Sequence, residues 1–325
     1  MRAIVAPRYG SAEVLEVAQV DRPTPGRGEV LVRVAAVGIS RANLHLLTGT
    51  PLLLRLAGFG LRRPKQPIIG IELAGVVAAV GPGCTRFDIG DEVFGYGSGA
   101  CAELAVAPEL KLARKPSSLT FVEAAALVDS ASTAHMAVHE VGEVRAGQRV
   151  LILGASGGVG SFAVQMAAAL GAVVTGTAST AKLDFVRSLG AAEVIDHRRE
   201  DPLAAARAFD VIIDLGGNRS VRALRRALAA DGTLVIAGGE EGGPITGGFG
   251  RQLLAPLRGV VGSQRLRTFV SREHHEVLES LAELAEAGSI RPAIDVVHRF
   301  DDAPAALARM AAGQIRGKDV IDLAT

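Results

Sequence analysis

One turn constrains this chain more than any other feature: Val150-Leu151-Ile152-Leu153-Gly154-Ala155-Ser156-Gly157-Gly158-Val159-Gly160. An apolar run of strand length stops at glycine, and an Ala-rich stretch with helical spacing, Val159 to Leu170, follows at once. Small residues at such a turn let the backbone approach a pyrophosphate, and the unpaired N–H groups of a helix start favour its negative charge. Gly160 permits close packing of helix on strand. The string departs from G-x-G-x-x-G at one place, because Ala155 stands at its first glycine position. Strand before, helix after and a further strand at Val173 are the context a dinucleotide site requires. The competing reading is a glycine-rich strand-turn-helix without a ligand. Gly154, Ala155, Ser156, Gly157, Gly158, Val159 and Gly160 are thus the candidate phosphate-binding residues.

The next strand bears on which dinucleotide. A site for NAD places Asp or Glu at its end to hold the ribose hydroxyls. Here that place reads Gly176-Thr177-Ala178-Ser179-Thr180-Ala181-Lys182, with no acid. The hydroxyls of Ser179 and Thr180 and the cation of Lys182 suit a 2′-phosphate, so NADPH is the expected cofactor; alternatively Lys182 lies on a solvated helix face. After the third strand comes Asp196-His197-Arg198-Arg199. His197 joins the cofactor candidates, and the two arginines either add positive charge or form an exposed basic loop.

Around this turn the chain changes texture twice. The 325 residues suggest two domains. The first 115 or so read as short β segments punctuated by Gly and Pro, which favours a barrel-like or sandwich-like module. Thr120 with Glu123 is a plausible helix start. From about residue 149, apolar strands alternate with helices: Arg149 to Leu153, Val173 to Thr177, Val194-Ile195, Val211 to Leu215, Leu234 to Ala237 and Gly259 to Gly262. Six such strands make a doubly wound parallel sheet. The final stretch contains helices at Ser271 to Ala287 and Ala303 to Ala312 and strands at Ile294 to Phe300 and Val320 to Leu323.

Composition removes other classes. Lys plus Arg number 35 against 34 Asp plus Glu, which leaves no cation excess for a broad nucleic-acid surface. Two cysteines, Cys84 and Cys101, cannot close a four-thiolate zinc site. No run approaches the length of an integral membrane segment and no secretory signal opens the sequence, so a cytoplasmic setting is the expectation.

Taken in order, the sequence resembles the medium-chain dehydrogenase/reductase superfamily, in its zinc-independent quinone oxidoreductase-like branch. The resemblance rests on Tyr9-Gly10-Ser11, on Gly70-Ile71-Glu72-Leu73-Ala74-Gly75-Val76-Val77 with Val80-Gly81, and on Gly90-Asp91-Glu92-Val93-Phe94-Gly95. It continues through the glycine turn with Gln165, Leu189-Gly190-Ala191, Ile195-Asp196 and Arg316-Gly317-Lys318. It implies a Rossmann domain at 120–264, a GroES-like catalytic domain split between 1–119 and 265–325, a cleft between them, and a homodimer. For the dimer contact, strand pairing around Leu234 to Ala237 or Gly259 to Gly262 is one route.

Residue by residue, the resemblance also bears on chemistry. Zinc-dependent relatives carry His where Ile71 stands, and their first Cys would fall near Ile39-Ser40, so no metal is expected. Ser40-Arg41-Ala42-Asn43-Leu44-His45 matches a pattern Asn-Pro-x-Asp, with Ser40 for Asn and Asn43 for Asp; both keep hydrogen-bonding ability, and the second removes a potential negative charge. His45 is either a general acid or a loop-edge histidine bonded to backbone. Asp129 and Thr133 fall where the family places residues near the nicotinamide. The basic, apolar stretch 50–67 reads first as a wall or lid of the substrate cleft, and otherwise as a surface for a membrane or partner. His135 and His139 have metal-ligand spacing without an HExxH context and are taken as structural; His274 and His275 are taken as solvated. The function implied is an NADPH-dependent reductase of a quinone or an enone. An enoyl reductase of lipid or natural-product biosynthesis and a non-catalytic, crystallin-like NADPH-binding protein are the alternatives.

Overall fold

The computed structural model describes residues 1–53, 55–204, 208–237 and 263–324. The N-terminal arm supplies β1 (Arg2–Val5), β2 (Glu16–Gln19), β3 (Glu29–Gly38), α1 (Arg41–Thr48), β4 (Glu72–Val80), β5 (Glu92–Tyr96), β6 (Leu104–Pro108), β7 (Leu112–Arg114) and α2 (Phe121–His135). The middle supplies β8 (Arg149–Leu153), α3 (Gly158–Ala169), β9 (Val173–Ala178), α4 (Leu183–Ser188), β10 (Glu193–Asp196), β11 (Phe209–Asp214), α5 (Val221–Ala227), β12 (Leu228–Ile236) and β13 (Arg265–Thr268). The C-terminal arm supplies α6 (His275–Glu286), β14 (Ile294–Arg299), α7 (Ala303–Ala311) and β15 (Lys318–Asp322).

These elements fall into two compact units, Met1–Ser132 with Arg272–Thr325, and Thr133–Ser271. The expected boundaries at 119/120 and 264/265 differ from these. Residues 120–132 group with the β-rich unit, where Tyr96 bonds the Val128 carbonyl and Lys318 reaches Ser130, and the second boundary falls after β13.

In the first unit, seven strands form a sheet in the order β14-β15-β3-β4-β5-β7, with β6 also on β3; β1 and β2 pair separately. Every pairing is antiparallel except β14 with β15. Alternation along β3 sends Val30, Val32 and Val34 into a core shared with Leu73, Val93, Leu112 and, from α7, Ala306 and Leu307. α2 opens with a reciprocal cap: Glu123 Oε2 accepts from the Thr120 backbone N–H at 2.9 Å, and the Glu123 N–H donates to Thr120 Oγ1 at 3.2 Å. Such a cap satisfies two orphan donors of the first turn.

The second unit is a six-stranded sheet in the order β10-β9-β8-β11-β12-β13, parallel throughout. This is the doubly wound order, with the switch point at β8. β8 and the Val211–Ile213 centre of β11 are apolar and buried, as strands covered on both faces must be. The expected strand at Gly259 to Gly262 lies outside the described residues, and Arg265–Thr268 takes the sixth place. β12 is bonded on both sides, to β11 and β13. Leu234 to Ala237 therefore offers no free edge for pairing with a second copy. Among the described residues no helix is long and apolar enough to cross a membrane.

Two distant segments of the first unit meet through charge. Lys318 Nζ, 1% exposed at the start of β15, lies 3.0 Å from Oε2 of Glu72, fully buried at the start of β4, and 3.2 Å from Ser130 Oγ. The same carboxylate oxygen accepts the Asp129 N–H at 3.3 Å. Removing one partner leaves an uncompensated buried charge, which costs about 3–5 kcal/mol. Lys318→Met should lower the urea-unfolding free energy by that amount. Lys318→Met with Glu72→Leu should recover most of the loss, since an apolar pair carries no such charge.

Candidate active site

The glycine turn is built by its neighbours. Gly154 follows β8 with φ +84°, a conformation few L side chains adopt. Its N–H donates to Thr177 Oγ1 at 3.2 Å, and Ala155 N–H donates to the Thr177 carbonyl at 3.0 Å, so β9 holds the turn down. A Cβ on Gly160 would stand 2.2 Å from the Gly154 carbonyl oxygen, which is why α3 packs this closely only with glycine there. At Gly157 the situation is reversed: a Cβ would meet nothing nearer than the Gly154 oxygen at 3.6 Å. Gly157 is also the N-cap residue of α3 and supplies no side-chain cap. Ser156, Gly157, Gly158 and Val159 are half-buried while Ala155 and Gly160 are buried. A helix start without a capping side chain, beside open space, is the donor set a pyrophosphate fits.

Beyond β9, Ser179 and Lys182 are half-buried and Thr180 is exposed. The Thr180 hydroxyl donates to Asp196 Oδ2, at the end of β10. Asp196 also accepts the Arg198 N–H at 3.0 Å, and Arg199 Nε lies 3.6 Å away. The Thr180 hydroxyl first, then the Arg198 N–H and the nearby cations, hold this carboxyl below its ordinary value against the effect of burial. Asp196 stands in a quoted motif, yet the sequence did not mark it as a neighbour of Ser179, Thr180 and Lys182. His197 is exposed, and its N–H bonds the Ala178 carbonyl.

The β-rich unit brings Ser40 and Asn43 together at the start of α1. Both are buried, 4% and 2% exposed; among the described residues neither Ser40 Oγ nor Asn43 Oδ1 makes a hydrogen bond of ordinary geometry, although Ser40 is close enough to the Asp129 carboxyl to lower it. Asn43 Nδ2 reaches only the Gly38 carbonyl, at 3.4 Å. Asp129 on α2 stands close enough to feel Ser40, Glu72 and Lys318. Burial first, then the Glu72 carboxylate, push the Asp129 carboxyl up to about 6, with Lys318 and Ser40 pulling the other way. His45 is exposed and is not part of this group; its Nδ1 lies 2.8 Å from the Thr50 carbonyl, which requires the proton on Nδ1. Thr133 is half-buried on α2.

A cleft of about 700 Å³ opens in the same unit, with Leu47, Phe59, Ile69, Ile71, Tyr96 and Lys65 in its wall; Ser40, Asn43 and His45 do not line it. Tyr96 joins the cleft to the polar group, since its hydroxyl donates to the Val128 carbonyl at 3.3 Å. Burial and the Asp129 and Glu72 carboxylates raise its phenol well above the ordinary value. Tyr96, Glu72 and Lys318 had no assigned role from sequence, and nothing in the sequence marks them as partners. Elsewhere, the rings of His135 and His139 stack at 4.7 Å, and burial lowers both, His139 to about 4. His275 departs from the solvated expectation: it is mostly buried, 3.2 Å from Glu279. Among the described residues no three His, Cys, Asp or Glu side chains converge as metal ligands would.

Comparison with known proteins fits this geometry. Residues 26–117 match the alcohol dehydrogenase GroES-like domain family, and residues 189–321 the zinc-binding dehydrogenase family. A bovine mitochondrial NAD(P)H oxidoreductase (Bos taurus) is 33% identical, over 99% of this chain and 89% of its own. A quinone oxidoreductase of Pseudomonas aeruginosa is 32% identical, over 96% and 97%. A mycobacterial protein solved in complex with NADPH superposes with a TM-score of 0.83 at 27% identity, over 99% and 100%. With the doubly wound sheet, the GroES-like unit and these likenesses over nearly the whole length, the chain is an NAD(P)H-dependent oxidoreductase belonging to the medium-chain dehydrogenase/reductase superfamily, in its quinone oxidoreductase-like branch.

Proposed function

We propose that this protein is an NADPH-dependent reductase of quinones or of activated C=C bonds, working without a metal. The observation that carries the reading is the uncapped start of α3 at Gly157, followed across the sheet by a β9 end that has hydroxyls and Lys182 but no acid. The backbone N–H groups from Gly158 to Gly160 hold the pyrophosphate. Lys182, Ser179 and Thr180 hold the 2′-phosphate, with Arg198 and Arg199 offsetting the Asp196 carboxylate beside it.

When bound, NADPH supplies the hydride, and negative charge grows on the acceptor's carbonyl oxygen. The Ser40 hydroxyl and the Asn43 amide donate to that oxygen in place of a metal. Ile71 cannot ligate one, and no thiol stands near Ile39-Ser40. The ionised Asp129 carboxylate competes for the Ser40 proton, whereas the protonated form leaves it for the substrate. Water supplies the last proton. A homodimer in the cytoplasm completes the proposal.

Spectrophotometry of NADPH oxidation against quinones, enones and enoyl thioesters tests the reading. Turnover is expected with a quinone or an enone; tight NADPH binding with no turnover on any acceptor would instead mark a non-catalytic binder. NADPH should bind at least tenfold more tightly than NADH by calorimetry, and Lys182→Ala should remove about tenfold of that preference, roughly 1.4 kcal/mol. Equal affinities in the unaltered protein would overturn the cofactor choice. Ser40→Ala should lower kcat by about 10²–10³ with NADPH affinity unchanged, the usual cost of one oxyanion donor. Turnover should fall as pH rises through about 6, where Asp129 ionises, and Asp129→Asn should flatten that inflection.

A further inference from the structure

Charge and apolar surface are concentrated in one loop. Residues 46–71 contain Arg55, Arg62, Arg63 and Lys65 and no acid, while the other 31 cations of the chain meet all 34 acids. Eleven large hydrophobic side chains are exposed among the described residues, and five of them fall in the ten positions from Leu52 to Leu61. Leu56 is 73% exposed and Leu61 65%. Singly scattered apolar residues need no explanation, but a cluster of them marks a contact surface.

The exposure does not come from a slack backbone. Tyr9 Oη donates to the carbonyls of Phe59 at 2.9 Å and Gly60 at 2.7 Å, and the Lys65 N–H closes back onto the Phe59 carbonyl at 2.8 Å. Arg55 stacks over the Tyr9 ring at 4.3 Å and donates to the Gly49 and Thr48 carbonyls. The loop is pinned from beneath, and its leucines point away from the core. Arg62, Arg63 and Lys65 are exposed and engage no carboxylate among the described residues.

We propose that the loop from Leu56 to Lys65 docks on the surface of an anionic phospholipid bilayer. Leu56, Phe59 and Leu61 enter the boundary between headgroups and acyl chains, and Arg62 and Arg63 meet the lipid phosphates, the pairing that holds amphipathic elements at such surfaces. A second copy of this chain is a poorer occupant. A two-fold contact centred on this loop would set the same cations against each other, with no acid in the segment to relieve them. Docking also has a consequence for the cleft. Phe59, Pro64 and Lys65 belong to its wall, so its mouth would open at the lipid, within reach of an acceptor dissolved there. The docking itself does not depend on the redox reading.

Co-sedimentation of the full chain with vesicles tests this. Vesicles of phosphatidylcholine mixed with phosphatidylglycerol should carry the protein down, pure phosphatidylcholine should not, and raised salt should weaken the binding. Arg62→Ala with Arg63→Ala should weaken it about 25-fold, at about fivefold per cation. Leu56→Glu with Leu61→Glu should abolish it. Both double variants alter exposed side chains outside the cleft wall, so unfolding temperature and NADPH affinity should stay as they were. Equal binding by either variant, equal binding to neutral vesicles, or no binding at all would overturn the proposal. So would concentration-dependent self-association, abolished by the leucine changes, in a protein that leaves the vesicles in solution.

Discussion

The β-rich unit depends on one buried ion pair. Glu72 and Lys318 are 246 positions apart, and their contact joins the start of β4 to the start of β15 inside a core that excludes water. Nothing in local propensity brings the two ends of the chain together; the antiparallel pairing of β15 with β3 does so, and the ion pair fixes which residues meet. The fit leaves no slack. A Cβ on Gly38 would stand 2.7 Å from the Glu72 carboxylate and 2.4 Å from the Ala125 carbonyl. β3, β4 and α2 therefore pack around a charge that only Lys318 neutralises. Such a pair is weak evidence of net stability, because desolvation offsets much of the attraction. Its effect is on which arrangement is tolerated, since any register that separates the two charges leaves both buried and unpaired.

The second unit follows a different logic, in which backbone rather than side chains does the recognition. The open space at Gly157 and the tight space at Gly160 sit three residues apart on one helix start. The first leaves the room that the proposed phosphate needs, and the second brings the start of α3 against the Gly154–Ala155 backbone. Cofactor preference is a finer matter of charge. The Asp196 carboxylate accepts the Thr180 hydroxyl beside the place where a 2′-phosphate would sit. A dianion next to a carboxylate is favoured only if cations outweigh it, so the proposed preference for NADPH over NADH rests on Lys182, Arg198 and Arg199 together.

Much of this was legible in the sequence where period and turn chemistry agree. The glycine turn, five of the six strands of the parallel sheet and the Thr120–Glu123 cap are local patterns, and local patterns survive folding. The strand Arg265–Thr268 was not legible because it is polar and lies at the sheet edge, where alternation is weak and burial incomplete. Phe121–Ser132 groups with the β-rich unit and not with the parallel sheet, and an Ala-rich helix carries no mark in its sequence of which sheet it will cover. Glu72 and Lys318 stood in quoted motifs but had no role, since only the fold reveals that they touch. His45 was attractive by residue type alone, and its bond to the Thr50 carbonyl is set by a turn whose geometry five residues of sequence do not specify.

The electrostatics of the polar group also bear on what kind of acceptor suits it. Lys318 is the one cation in the group, and Glu72 neutralises it, so the group offers dipoles and not net positive charge to a developing oxyanion. Two neutral donors stabilise an anion far less than a metal or a free ammonium would. An isolated ketone places its charge on a single oxygen and needs the stronger partner. A quinone spreads the charge over its ring and second carbonyl, and an enone over its conjugated system, so hydride transfer to either asks less of the protein. Ser40 and Asn43, both uncharged, suit acceptors of that kind, and so does an apolar cleft whose wall includes Leu47, Phe59 and Ile69.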